Sequence, residues 1–337
     1  MTTPISAQAK TQQGFVLVTT IWLLAIIGIG AAYFSERVAS SVLLARQSQQ
    51  ATEALIDMSG TRAEILFRLG TTRLSRFGVG NDANNSIALD NRRYLGNAGD
   101  MVRLQDSRGL INVNFVRPEM LRRLLGQIGV AAENQEPLLD ALADYTDTDD
   151  LRRLNGAEVA DYRARGLPPP PNDWLVSPLQ LQNIIGWRDY PGLWKDQSLF
   201  EIVTTARVSG FNPNTAPRAV LAALPGSNLE IADNLIKSRA IVPFASAQQM
   251  GVLADQPSLN SDDVLFFPGD NIRLTQESDK IQWALQYQIM LTPLADRAPW
   301  RIDYHIKTGL TNSASNANKP ALLPARITLQ APADSTL

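Results

Sequence analysis

Residues 15–34, FVLVTTIWLLAIIGIGAAYF, run for 20 positions without a charge. A helix of that length rises about 30 Å, the thickness of a bilayer's hydrocarbon core. A cleaved secretory signal would have an apolar stretch of only about 7–15 residues, with positive charge before it and a small-residue cleavage site after it. Here the run is longer, and Lys10 is the single charge upstream. A buried core helix of this length would normally show a polar face. The segment is therefore read as a retained, single-pass membrane helix.

Beyond it the pattern becomes amphipathic. Val38, Val42, Ala45, Leu55, Met58, Ile65, Leu66 and Leu69 recur at helical spacing among Glu36, Arg37, Arg46, Glu53, Arg62 and Glu64. One helix is expected from residue 15 to about Gly70, where a glycine can end it. Two strands are expected around 94–105 and 109–115. The plainest strand lies far downstream at 280–291, where Ile281, Trp283, Leu285, Tyr287, Ile289 and Leu291 share one face and glutamines the other. Segments 300–306 and 325–330 alternate as well. His305, the only histidine, falls opposite the apolar face of its strand and reads as solvent-facing. An antiparallel sheet split by so long a stretch implies an insertion.

That insertion, residues 117–269, is helical by pattern. Pro118 and Pro217 sit at helix starts, and four consecutive prolines within 167–172 make a stiff spacer. Two stretches echo each other: INVNFVRPEMLRRLLGQIGV at 111–130 and FNPNTAPRAVLAALPGS at 211–227. The second, continued through 229–250, resembles a helix-hairpin-helix module.

Such modules usually bind nucleic-acid backbones through hairpin amides and basic side chains. Here Glu230 and Asp233 stand where a phosphate would approach, and only Lys237 and Arg239 are basic nearby. The formal charge of −2 supplies no attractive field. A protein-interaction fold is expected, with no nucleic acid. The absence of cysteine excludes thiolate catalysis and Cys-based zinc sites. Without P-loop, GxSxG, HExxH or GxGxxG motifs, no enzyme is expected.

One acidic cluster could hold an ion. Asp140, Asp144, Asp147, Asp149 and Asp150 fall close together, with Glu158 following. Hard cations such as Ca2+ want about 6–8 oxygens, which flexible carboxylate loops supply. The spacing is not that of an EF-hand. A solvated loop paired with Arg152, Arg153, Arg163 and Arg165 is the competing reading.

Taken together, the polar leader ending at Gly14, Phe15 opening the apolar run, NPNTAPRAVLAAL and the acidic LLDALADYTDTDD are similar to the K-type minor pseudopilins of type II secretion systems. That resemblance implies an α+β pilin-like fold: a long N-terminal transmembrane helix packed on an antiparallel sheet, with a large all-α insertion of helix-hairpin-helix or SAM-like type. It implies a prepilin leader over 1–14, a membrane helix over 15–34, helix continuation and first strands over 35–116, the insertion over 117–269, and remaining strands and tail over 270–337. A prepilin peptidase would cut between Gly14 and Phe15, and Phe15 would be N-methylated.

Most pilins carry glutamate at the fifth mature position, here Thr19, where an unpaired carboxylate costs about 2.5–3.5 kcal/mol in a membrane. In the family model that glutamate pairs with the amine of the subunit above, so Thr19 marks a subunit with nothing above it. The implied role is the tip of the pseudopilus, in the inner membrane with a periplasmic head. The implied partners are I- and J-type minor pseudopilins, the major pseudopilin and secreted substrates. Calcium is implied in the insertion, at Asp144, Asp147, Asp149, Asp150 and Glu158. A minor type IV pilus tip protein for adhesion or DNA uptake is the alternative.

Overall fold

The computed structural model describes residues 13–96, 98–194, 198–254, 264–310 and 320–324. The chain divides into two compact units, Met1–Leu55 and Ile56–Leu337. Helix α1 (Gln13–Thr71) begins in the first and ends in the second. It stops one residue beyond the glycine expected to end it.

In the first unit the side chains of Val16, Ile21, Trp22, Leu24 and Ile27 are all exposed. An apolar helix with every face bare is stable where the surrounding medium is itself apolar. Its two hydroxyls are satisfied internally: Thr19 Oγ1 donates to the Val16 carbonyl at 2.9 Å and Thr20 Oγ1 to that of Leu17 at 2.8 Å. Neither needs water.

The second unit is built on a six-stranded sheet. In spatial order it runs β10 (Ala321–Leu322), β3 (Asp90–Leu95), β4 (Met101–Asp106), β7 (Asn271–Glu277), β8 (Trp283–Leu291) and β9 (Trp300–Gly309). Every pairing is antiparallel except β10 on β3. Strands β4 and β7 are neighbours although some 165 residues of chain separate them, so the split sheet read from alternation is real. A second pair, β1 (Leu74–Ser75) and β2 (Gly78–Val79), forms a tight hairpin beside it.

Alternation sends Val102, Leu104, Ile272, Leu274, Tyr287 and Ile289 to one face, where they bury against Ile65, Leu66 and Leu69 of α1. Polar ties fix the same stretch of helix: Thr61 Oγ1 donates to Asp100 Oδ1 at 2.6 Å and Gln276 Nε2 to the Met58 carbonyl at 2.7 Å.

Two strand expectations change. The stretch around 94–105 is a hairpin of two strands, β3 and β4, rather than one. Within 109–115 only β5 (Ile111–Asn112) is extended, and it leaves the main sheet to pair in parallel with β6 (Val203–Thr204). A 3-10 turn at Ser107–Gly109, capped by the Asp106 carboxylate, redirects the chain there. The strand expected at 325–330 lies outside the described residues; the described C-terminal strand is β10. His305 is exposed as expected, stacked on Tyr287.

The inserted helices are α2 (Pro118–Gln127), α3 (Ala132–Thr146), α4 (Val159–Ala164), α5 (Pro191–Trp194), α6 (Ser198–Ile202), α7 (Arg218–Ala223), α8 (Leu229–Ile241) and α9 (Ala247–Ala254). They close over their own core, which includes Leu121, Leu124, Leu138, Leu142, Tyr162, Trp187, Leu221, Leu235 and Phe244. Trp187 is fully buried, its Nε1–H donating to the Leu138 carbonyl at 2.7 Å.

The sequence echo reappears as geometry. Asn112 Oδ1 accepts from Asn114 N, and Asn212 Oδ1 accepts from Asn214 N, each at 3.0 Å. In each turn the second asparagine grips the backbone of another segment. Asn114 exchanges two hydrogen bonds with Leu175, at 2.9 and 3.0 Å, and Asn214 two with Phe244, at 2.8 and 2.9 Å. The two turns lead into α2 and α7. The repeat thus records the same Asx-turn clamp used twice.

Candidate metal centre

Helix α3 ends at Thr146, and Asp147 is its C-cap. The chain then loops through 148–157 before Glu158 caps α4. The loop is held by local bonds: Asp149 Oδ1 accepts from Leu151 N at 2.8 Å, and Asp140 Oδ2 of α3 accepts from Asn155 N at 3.2 Å.

The structure sorts the acidic residues by role. One carboxylate oxygen each of Asp147, Asp149 and Glu158 lies within 4.8 Å of the others. Asp144 is fully buried outside this trio, accepting from Arg153 Nη1 at 2.6 Å and Arg153 N at 3.1 Å. Gly156 packs so close to it that a Cβ there would meet Asp144 Oδ2 at 1.9 Å. Any side chain at 156 would force Asp144 aside. Asp150 Oδ1 accepts from Asn172 Nδ2 at 3.2 Å.

Glu158 is only 5% exposed, and neither of its carboxylate oxygens takes a donor in normal hydrogen-bond geometry. Asp147 Oδ1 is likewise buried without a donor, while its Oδ2 accepts from Arg153 Nη1 at 2.6 Å. Buried carboxylate oxygens without donors are costly. Burial, and then the charges of Asp144, Asp147, Asp150 and Asp149, push the Glu158 carboxyl up to about 7. Three oxygens within 4.8 Å of one another leave a common centre no more than about 2.8 Å from each, close to the 2.3–2.6 Å typical of calcium. The donor set is entirely hard oxygen, so the residues fit such an ion.

Asn172 belongs to the same neighbourhood and escapes sequence reasoning. Its Nδ2 donates to the Asp149 carbonyl at 3.1 Å, and its Oδ1 is buried without a donor. It follows the proline spacer, 14 residues beyond Glu158, so no local motif announces it.

A carboxyl whose folded-state value lies above its ordinary value of 4.5 binds its proton more tightly in the native state. Stability from that proton is complete below about pH 4.5 and is lost as pH rises through about 7. In EDTA, the urea midpoint of the chain is therefore expected to be lower at pH 8 than at pH 5.5. Glu158→Gln should flatten that difference; an unchanged slope in this variant would remove Glu158 as its source.

The processing residues lie at the start of α1, where Gly14 and Phe15 are helical in backbone. Thr19 sits one turn further on. Residues 101–190, which hold β4, α2, α3 and the acidic loop, match the family model described as Type II secretion system (T2SS), protein K. The chain is similar to type II secretion protein K. A solved structure adds the fold: a chain of the GspK-GspI-GspJ complex from the enterotoxigenic Escherichia coli Type 2 Secretion System matches with a TM-score of 0.54. Identity is 16%, and the match covers 78% of this chain and 98% of that one. No curated protein matches the sequence. The fold is accordingly the pilin-like α+β arrangement of protein K, with a helical insertion between β4 and β7 and a single apolar helix at the N-terminus.

Proposed function

We propose that this chain is the K-type minor pseudopilin that caps the tip of a type II secretion pseudopilus, helping to initiate its assembly and the export of folded proteins across the outer membrane. The observation that carries this reading is the protein K match over the insertion of a pilin-like sheet. An inserted domain of this size obstructs helical stacking when repeated along a filament and is harmless at its end. Thr19 agrees with that position, because a subunit with no neighbour above it has no terminal amine for a glutamate to meet.

The partners in this reading are I- and J-type minor pseudopilins beside it, the major pseudopilin below, and secreted substrates above. The head faces the periplasm, and the helix stays in the inner membrane. A structural role requires no catalytic group. Asp147, Asp149 and Glu158 would hold Ca2+ directly, with Asp144 and Asp150 adding charge around them. The ion would replace the proton on Glu158 and cancel the repulsion among the three carboxylates.

Co-expression with the prepilin peptidase and the I- and J-type subunits of the same system tests the proposal. The expected products are a mature chain beginning at methylated Phe15 and a stable complex containing all three minor subunits. Recovery of intact Met1, or of a chain cut after residue 34, would refute it.

A further inference from the structure

A cleft of about 240 Å3 lies where the 76–92 segment of the sheet side meets α8 of the insertion. Three guanidinium groups line it, those of Arg76, Arg92 and Arg239, against one carboxylate, Asp90. Arg92 and Asp90 satisfy each other through two hydrogen bonds, Nε to Oδ1 at 2.8 Å and Nη2 to Oδ2 at 2.6 Å. That pair is closed and neutral. Among the described residues no carboxylate forms an ion pair with Arg76 or Arg239. Arg76 lies over the Phe77 ring, and Arg239 spends Nη1 on the Pro213 and Ala216 carbonyls at 2.6 and 2.8 Å.

The cleft therefore carries three guanidinium charges against the single Asp90 carboxylate, whose contact pair is Arg92 and which acts on Arg239 only from a distance. The strain on Arg239 is visible in its acidity. Burial lowers its guanidinium from the ordinary 12.5 to about 10; the nearby Asp90 charge offsets part of this, and Arg92 adds a smaller push downward. Further donor capacity faces the cleft in Ser86, whose buried Oγ has no hydrogen-bond partner. The wall itself depends on Gly78, at φ +112°, where a Cβ would lie 2.1 Å from the Ile87 carbonyl oxygen.

We propose that this cleft binds a small phosphate dianion. An excess of two guanidinium charges over the one carboxylate matches its charge, and the planar forks of Arg76 and Arg239 suit its oxygens. The volume falls below the roughly 300–1,000 Å3 of sites for drug-sized ligands, which limits the occupant to a phosphate or a short phosphate ester. A nucleic-acid backbone needs an extended basic track, and three arginines around one closed cleft do not make one. The site is separate from the acidic loop and does not depend on the tip reading.

The test is equilibrium binding of radiolabelled orthophosphate to the detergent-solubilised full chain at constant ionic strength, with glycerol 3-phosphate as a second probe. Saturable binding at one site per chain is expected, weakened about 10–100-fold by Arg76→Gln, whose side chain is exposed and whose loss leaves the fold intact. Arg239→Met should abolish it, whereas Lys237→Gln, on an exposed position of α8, should not change it. Tighter binding of glycerol 3-phosphate would identify an ester as the natural source and support the site equally. Phosphate binding no better than chloride, or unaltered by Arg76→Gln, would overturn the proposal.

Discussion

Arg103→Met is expected to lower the stability of the head by about 3 kcal/mol, the lower end of what breaking a buried ion pair costs. Arg103 is 4% exposed and lies on β4, on the face of the sheet turned away from α1. Its Nη1 meets Glu201 of α6 at 2.9 Å, and its Nη2 meets Glu277 of β7 at 2.6 Å. Methionine keeps most of the volume but leaves two largely buried acids facing each other. Arg93, 3.5 Å from Glu277, and Asn91, which donates to Glu201, soften the loss.

For a unit of this size the change corresponds to a fall in Tm of roughly 6–12 °C. Calorimetry of the full chain in detergent measures it. The double variant Arg103→Met, Glu201→Gln should recover most of the loss, since Glu277 then keeps Arg93 as its partner and no second acid faces it. A single variant as stable as the parent would mean that the triad contributes nothing. By contrast the exposed Arg301–Asp303 pair should contribute under about 1 kcal/mol.

Calcium is expected to raise Tm, and EDTA to reverse the rise. An ion present at 100 times its Kd and bound only by the folded chain adds about 2.7 kcal/mol. Two features make the loop responsive: neither Glu158 oxygen has a donor in normal hydrogen-bond geometry, and Asp147 Oδ1 has none. Glu158→Gln should abolish the calcium response while making the ion-free protein more stable at neutral pH, because it removes a buried charge from an acidic neighbourhood. Asp150→Asn should keep most of the response, since Asp150 stands outside the converging trio. Magnesium should stabilise less, being reluctant to give up its waters. If Tm ignores calcium in the parent protein, the loop is held by Arg153 and the hydrogen bonds of Asn155 and Asn172 without an ion.

The glutamines of β8 illustrate where reading a sequence stops. Alternation correctly separates Ile289 and Tyr287 from Gln286 and Gln288, yet both faces are buried. The polar face is covered by the insertion, with Arg273 donating to the Phe200 and Val203 carbonyls and Gln105 to that of Thr215. A period of two reports which residues share a face, not what lies above it.

Much else was local and therefore legible. The uncharged run at 15–34, the helix through Leu69, the strand at 283–291, the paired Asn-x-Asn turns and the acid-rich loop each follow from neighbours within a few positions. Their physics is periodicity, turn chemistry and charge, all written in order along the chain. Convergence was not. The acidic loop could be found by counting carboxylates, but the convergence of Asp147, Asp149 and Glu158, with Asp144 buried behind them against Gly156, depended on the path of the chain. Asn172 entered only because the proline spacer folds back on the loop. Likewise Arg76, Arg92 and Arg239 meet only because the insertion docks on the sheet. Sequence alone determined the elements and their chemistry; the tertiary structure decided which charges share a space, because electrostatic partnership depends on distance through the fold and not along the chain.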